Sequence, residues 1–88
     1  MVTQKVQIIN PTGLHLRPAG IFCQEAMKYT SNITFHYGAN GTANAKSVLS
    51  VLGACIKCGT EITLVCDGED ERQALSNLIA YIESGLGE

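Results

Sequence analysis

His15 is the residue in this chain whose type and setting lend themselves most directly to chemistry. It lies in the run N-P-T-G-L-H-L-R-P-A-G, from Asn10 to Gly20, with Arg17 and Pro18 close behind it. Imidazole is partly neutral near neutral pH and forms a labile bond to phosphorus, so it can take up and release a phosphoryl group. The stripe Ala19, Phe22, Cys23, Ala26 places His15 at a helix start, where free N–H groups and the dipole favour an anion. Backbone N–H groups at Leu16 and Arg17 could hold phosphoryl oxygens, and the Arg17 guanidinium could add charge-assisted hydrogen bonds. On spacing alone, a histidine beside an arginine is also an ordinary surface or capping pair.

Ser47 is the second residue of interest. It sits at a natural N-cap position of a short apolar helix, which by itself explains a serine there. The four cysteines are Cys23, Cys55, Cys58 and Cys66. Cys23 falls on the apolar stripe and Cys66 ends an alternating strand, so both read as small buried hydrophobes. Cys55 and Cys58 form one C-x-x-C, whose functional readings are a redox pair or half a metal site. A metal would need further ligands from Cys23, Cys66, His15 or His36, which the spacing does not bring together. Free thiols, no metal and no cofactor are expected. His36 alternates to the exposed side of its strand.

These residues must be positioned by one small domain, residues 1–88, since 88 residues leave no room for a second core. At 45% hydrophobic and 16% charged the chain is globular. A net charge of −2 with six scattered basic residues argues against a nucleic-acid partner. There is no apolar run of membrane length and no signal-peptide core at the N-terminus, so a cytoplasmic protein, expected to be a monomer, is the reading.

Val6 and Ile8 mark a first strand over about residues 2–9, which turns through Pro11 and Gly13 into a helix from about Leu16 to Tyr29. Pro18 suits that helix's first turn and Lys28 its last; Gly20 suggests close packing. Residues 33–37 alternate as a strand, Asn40-Gly41 supplies a hairpin turn, and a short strand covers about residues 42–45. The Ser47 helix follows, then a strand from Glu61 to Cys66. Half of the eight acids lie between Asp67 and Glu71, complementing the start of a last helix that opens at Glu69. Its buried stripe is Leu75, Leu78, Ile79 and Ile82, with Gly85 as the stop. Val48 and Val51 lie on one side of the Ser47 helix, and Leu49, Leu52 and Ile56 on another. A thin domain leaves one side exposed, as a docking strip at Leu49 and Leu52, unless both are buried. The order β-α-β-β-α-β-α indicates an α+β fold, one antiparallel sheet covered on one face by helices.

Two motifs carry a family resemblance. G-L-H-L-R-P-A, from Gly13 to Ala19, resembles the active-site signature of HPr, the histidine-containing phosphocarrier of the bacterial sugar phosphotransferase system. K-S-V-L-S-V-L, from Lys46 to Leu52, resembles the second HPr signature. The resemblance covers nearly the whole chain and implies an open-faced β-sandwich, a four-stranded antiparallel sheet with three helices on one side. It implies that His15 accepts a phosphoryl group from enzyme I, itself charged by phosphoenolpyruvate, and donates it to enzyme IIA domains, with Arg17 assisting. Ser47 matches the serine that HPr kinase/phosphorylase modifies in many Gram-positive bacteria, where the modified form partners a catabolite-control transcription factor. Leu16 stands where the family often has Ala, and the spacing from His15 to Ser47 is one residue longer, with the extra residue placed in the hairpin. Such a protein is a substrate in a relay rather than an enzyme. The alternative is a regulatory HPr paralogue working mainly through Ser47; such paralogues often lack the histidine.

Overall fold

In the computed structural model, which describes residues 1–87, the first alternating segment becomes β1 (Val2–Gln7), followed by α1 (Leu16–Ala26) and β2 (Asn32–Tyr37). The chain continues through β3 (Gly41–Asn44), α2 (Val48–Gly53), β4 (Glu61–Asp67) and α3 (Glu71–Glu83). The strands form one antiparallel sheet in the order β1-β4-β2-β3, so the last strand made lies in the middle.

Register separates the two faces. Val6 stands opposite Ile62, Phe35 opposite Leu64, and Ile33 opposite Cys66. Against this side pack Ala19, Phe22 and Ala26 of α1, Val51 of α2, and Ala74, Leu78 and Ile82 of α3. Phe22 and Phe35 meet edge-on with ring centroids 6.0 Å apart, the arrangement that aromatic quadrupoles favour. Each fully buried Phe, Ile or Leu here contributes roughly 1.5–3 kcal/mol. The alternate positions pair on the other side: Lys5 with Thr63, His36 with Thr63 and Thr42, and Thr3 and Thr34 with Val65. That open face is polar apart from Val65, and His36 is exposed on it as expected, its Nδ1 3.0 Å from Thr42 Oγ1. The result is the α+β fold read from the residue pattern, and the four-stranded, three-helix open-faced sandwich that the resemblance implies.

Several details differ, each for a physical reason. β1 stops at Gln7; Ile8 still enters the core, but its N–H donates to Thr60 O and its carbonyl accepts from Gly59 N outside the strand ladder. α1 stops at Ala26 because Lys28 N and Tyr29 N donate three residues back, to Glu25 O and Ala26 O, tightening the end. Lys28 therefore lies beyond the helix, where its Nζ pairs with Glu25 at 2.8 Å. Space is open where a Gly20 side chain would go, so close packing does not account for that glycine. In the β2–β3 hairpin the positive φ falls on Gly38 rather than on Asn40-Gly41; Gly41 is needed because a Cβ would sit 2.5 Å from the Tyr37 ring. Leu75 is only partly buried, Ala74 taking its place in the inner stripe of α3. Gly85 does end that helix: Gly85 N donates to Ile82 O and Leu86 N to Tyr81 O, the Schellman pattern, and Leu86 is wholly buried. Among the described residues no helix is long and apolar enough to cross a membrane.

The acidic cluster does something different from the expected service to its own helix. α3 opens at Glu71, not Glu69, and the Asp70 side chain makes no cap bond to it. Its carboxylate instead accepts from Thr30 N at 2.9 Å, from Ser31 N at 3.0 Å and from the Ser31 hydroxyl, tying α3 to the α1–β2 turn. Glu71 remains in the first helical turn and accepts from the Met1 ammonium at 3.0 Å. The Ser31 hydroxyl, with the Thr30 amide behind it, holds the Asp70 carboxyl down at about 2, from an ordinary value of 3.8. A depressed folded-state value means that the contribution is complete above the unfolded value and is lost as pH falls through the folded one. In Asp70→Asn the urea midpoint is therefore expected to fall less than in the native protein between about pH 4 and about pH 2. Equal acid sensitivity of the two proteins would assign the effect to other carboxylates.

Candidate functional site

The turn between β1 and α1 is built from buried and bonded parts. Asn10 is buried; its Nδ2 donates to Gly13 O at 2.5 Å, and its carbonyl accepts from Gly13 N at 3.0 Å. Leu14 is buried and its N–H donates to Ile56 O at 2.9 Å, joining the turn to the loop that follows α2. Gly13, at φ +65°, lies directly on that loop: a Cβ there would come 2.7 Å from Lys57 Cα and 2.9 Å from Cys58 N. With the turn held from below, His15 emerges exposed at the start of α1.

His15 occupies the N-cap position with extended backbone (φ −78°, ψ −176°), and its carbonyl accepts from Ala19 N at 2.8 Å. Its imidazole makes no capping bond, so the ring is available. The N–H groups of Leu16 and Arg17 have no acceptor within the helix, and Pro18 has no N–H to satisfy. Arg17 is exposed and, among the described residues, is in no ion pair. An exposed nucleophilic ring beside free N–H donors and a guanidinium can accept and hold a tetrahedral anion.

His15 also lines a cleft of about 320 Å³ with Thr12, Leu14, Leu52, Cys55, Ile56 and Lys57. Arg17 is not among its lining residues, and neither is Leu49. Leu49 is 83% exposed, Leu52 is half-buried at the cleft, and Val51 is wholly buried. Ile56, expected beside Leu49 and Leu52, is instead a core residue. Leu16 is 64% exposed next to His15, an apolar surface that reading it as a backbone donor alone overlooks. Cys55, read only as half of a C-x-x-C, and Lys57, given no role, also line the cleft, and nothing local signals that their loop would lie under Gly13.

Ser47 caps α2 as expected, its Oγ accepting from Ser50 N at 3.2 Å. The neighbouring Lys46 is committed elsewhere, its Nζ donating to Tyr29 O at 2.6 Å. Ser47 stands at the opposite end of α2 from the cleft residues Leu52 and Cys55, about 9 Å away for a helix of this length. Of the cysteines, Cys23 and Cys66 are buried and Cys55 and Cys58 exposed, all four as free thiols. Burial pushes the Cys66 thiol up to about 11. Among the described residues no three His, Cys, Asp or Glu side chains gather as a metal site.

The family described as "PTS HPr component phosphorylation site" matches residues 2–84. The chain belongs to the HPr family. Among relatives of this HPr-family phosphocarrier, the HPr-like protein Crh of Bacillus subtilis is 42% identical over 83 residues, covering 94% of this chain and 96% of Crh. The phosphocarrier protein HPr of Haemophilus influenzae is 42% identical over 82 residues, covering 93% of this chain and 95% of that protein. The crystal structure of HPr-C-His from Thermoanaerobacter tengcongensis superposes with a TM-score of 0.95 at 38% identity, covering 100% of this chain and 98% of the other.

Proposed function

We propose that this HPr-family chain carries phosphoryl groups in a cytoplasmic sugar phosphotransferase relay, accepting them on His15 from enzyme I and passing them to enzyme IIA domains. The observation that carries this reading is the exposed, uncapped imidazole of His15 at the first turn of α1. In acceptance a ring nitrogen attacks phosphorus, a nitrogen–phosphorus bond forms, and the bond to the donor breaks; donation runs the same step in reverse. The free N–H groups of Leu16 and Arg17 and the Arg17 guanidinium hold the phosphoryl oxygens as their charge shifts. The residues assigned to the step, His15 to Arg17, are contiguous, so one copy suffices for it and the carrier is read as a monomer. Leu49 and Leu52, on the α2 surface, serve as partner contacts.

Ser47 is the regulatory half of the reading. A phosphate on its hydroxyl, at the far end of α2, acts on the docking face shared with His15, by repelling acidic partner surfaces, rather than on the imidazole itself. Similarity to Crh favours a second reading, a regulatory paralogue modified by HPr kinase/phosphorylase and bound by a catabolite-control transcription factor. The presence of His15 favours the carrier. Incubation with enzyme I and phosphoenolpyruvate, read by intact mass and phosphorus NMR, is expected to give an acid-labile phosphoryl group. A folded sample that takes up none would leave the paralogue. Treatment with HPr kinase and ATP is expected to modify Ser47, and an unmodified serine would remove the regulatory half.

A further inference from the structure

We propose that Lys57 is a second cation of the phosphoryl site, meeting the group on His15 from a different element than Arg17. The inference deepens the phosphocarrier reading and rests on it for its consequence in the relay. Lys57 lies 42 positions from His15, but the fold places both on the walls of one cleft. Its backbone has little freedom: Lys57 O accepts from Thr60 N at 3.1 Å, and the preceding Ile56 O accepts from Leu14 N at 2.9 Å. The close approach of Lys57 Cα to Gly13 sets this residue's backbone directly against the turn that presents the histidine. Lys57 is exposed at the cleft, and its flexible four-carbon stem gives the ammonium the reach to meet a group carried on His15.

Charge points the same way. None of the residues lining the cleft is acidic, and among the described residues Lys57 is in no ion pair. The acidic cluster from Asp67 to Glu71 lies at the far end of β4, about 20 Å from its near end, and the acid at the near end, Glu61, is in no ion pair with Lys57 among the described residues. Arg17 belongs to α1 and is not part of the cleft wall, so the two cations reach the imidazole from two separate elements. Phosphorylated histidine carries a charge near −2, and Lys57 is placed to offset it as a mobile point charge, complementing the planar fork of Arg17.

The test removes partner proteins. Phosphoramidate phosphorylates imidazole directly: the ring nitrogen attacks phosphorus, the phosphorus–nitrogen bond of the reagent breaks, ammonia leaves with the bonding electrons, and the ring releases its proton to water. The variants are Lys57→Met, which keeps the stem, and Lys57→Arg, which keeps the charge. Labelling of His15 by phosphoramidate is expected to slow roughly fivefold in Lys57→Met, to recover in Lys57→Arg, and to converge between native and Met proteins in high salt. A purely structural role would show no salt dependence and no rescue. If Lys57→Met labels normally with phosphoramidate but slowly with enzyme I, Lys57 contacts the partner and the proposal is wrong; equal rates in both assays also overturn it. A native protein that enzyme I fails to charge, but that phosphoramidate labels in a Lys57-dependent way, would retire the relay reading and leave the cation site standing.

Discussion

His15→Ala is expected to lose all phosphoryl acceptance from enzyme I and phosphoenolpyruvate while keeping its thermal stability within roughly 0.5 kcal/mol of the native protein. The two halves of this expectation have separate causes. Chemistry disappears because the attacking nitrogen is gone, and the remaining donors at Leu16 and Arg17 can hold a phosphoryl group but cannot bond to it. Stability stays because His15 is exposed and its side chain caps nothing. Its structural service is rendered by the backbone carbonyl, which accepts from Ala19 N at 2.8 Å and is unchanged by the substitution. The extended backbone at this position is open to alanine. Intact mass after incubation and a thermal melt by circular dichroism read the two halves. A phosphoryl group retained by the variant would point to His36, on the open face of the sheet, and displace the assignment.

Gly13→Ala is expected to produce the larger structural effect, a destabilisation of about 3 kcal/mol, from left-handed strain and overpacking together. Gly13 has φ +65°, which an L side chain adopts only at a penalty. Its Cβ would also meet backbone rather than pliable side chain: Ile56 O, Lys57 Cα at 2.7 Å and Cys58 N at 2.9 Å. Relief requires the turn to lift from the loop, which breaks the Leu14 N to Ile56 O bond and disturbs the buried Asn10 amide. The melting temperature should fall by roughly 10–20 °C for a domain of this size. Because the same turn carries His15 and the same loop carries Lys57, phosphoryl acceptance should slow even at temperatures where the variant is folded. An unchanged melting temperature would mean that the turn and loop are not packed as described.

The chain by itself determined whatever depends on neighbours within a turn of helix or a strand repeat. The stripe Ala19, Phe22, Cys23, Ala26 sets the buried face of α1, the alternation Ile62, Leu64, Cys66 sets the inner face of β4, and Ser47 caps α2 through a bond three residues long. The two signatures around His15 and Ser47 were legible for the same reason, being contiguous. Boundaries were less legible: α1 ends at Ala26 through local three-residue bonds and β1 at Gln7 through bonds of Ile8 to the distant Gly59 and Thr60, neither of which periodicity encodes.

Tertiary structure alone decided what meets across long separations. Asp70 looks like a helix-capping acid in the sequence, yet its carboxylate binds the Thr30–Ser31 turn about forty residues away, because α3 crosses the sheet there. Cys55 reads in the sequence as half of a C-x-x-C and Ile56 as part of the α2 surface, and with Lys57 they became the wall of the His15 cleft only when β4 took its place beside β1. That register brings the loop before β4 against the turn after β1, and Gly13 is what lets them touch. Short-range patterns are set by covalent geometry, which every chain shares. Which distant segments close on one another is set by burial and backbone bonding summed over the whole fold, and it was there that the histidine acquired its neighbours.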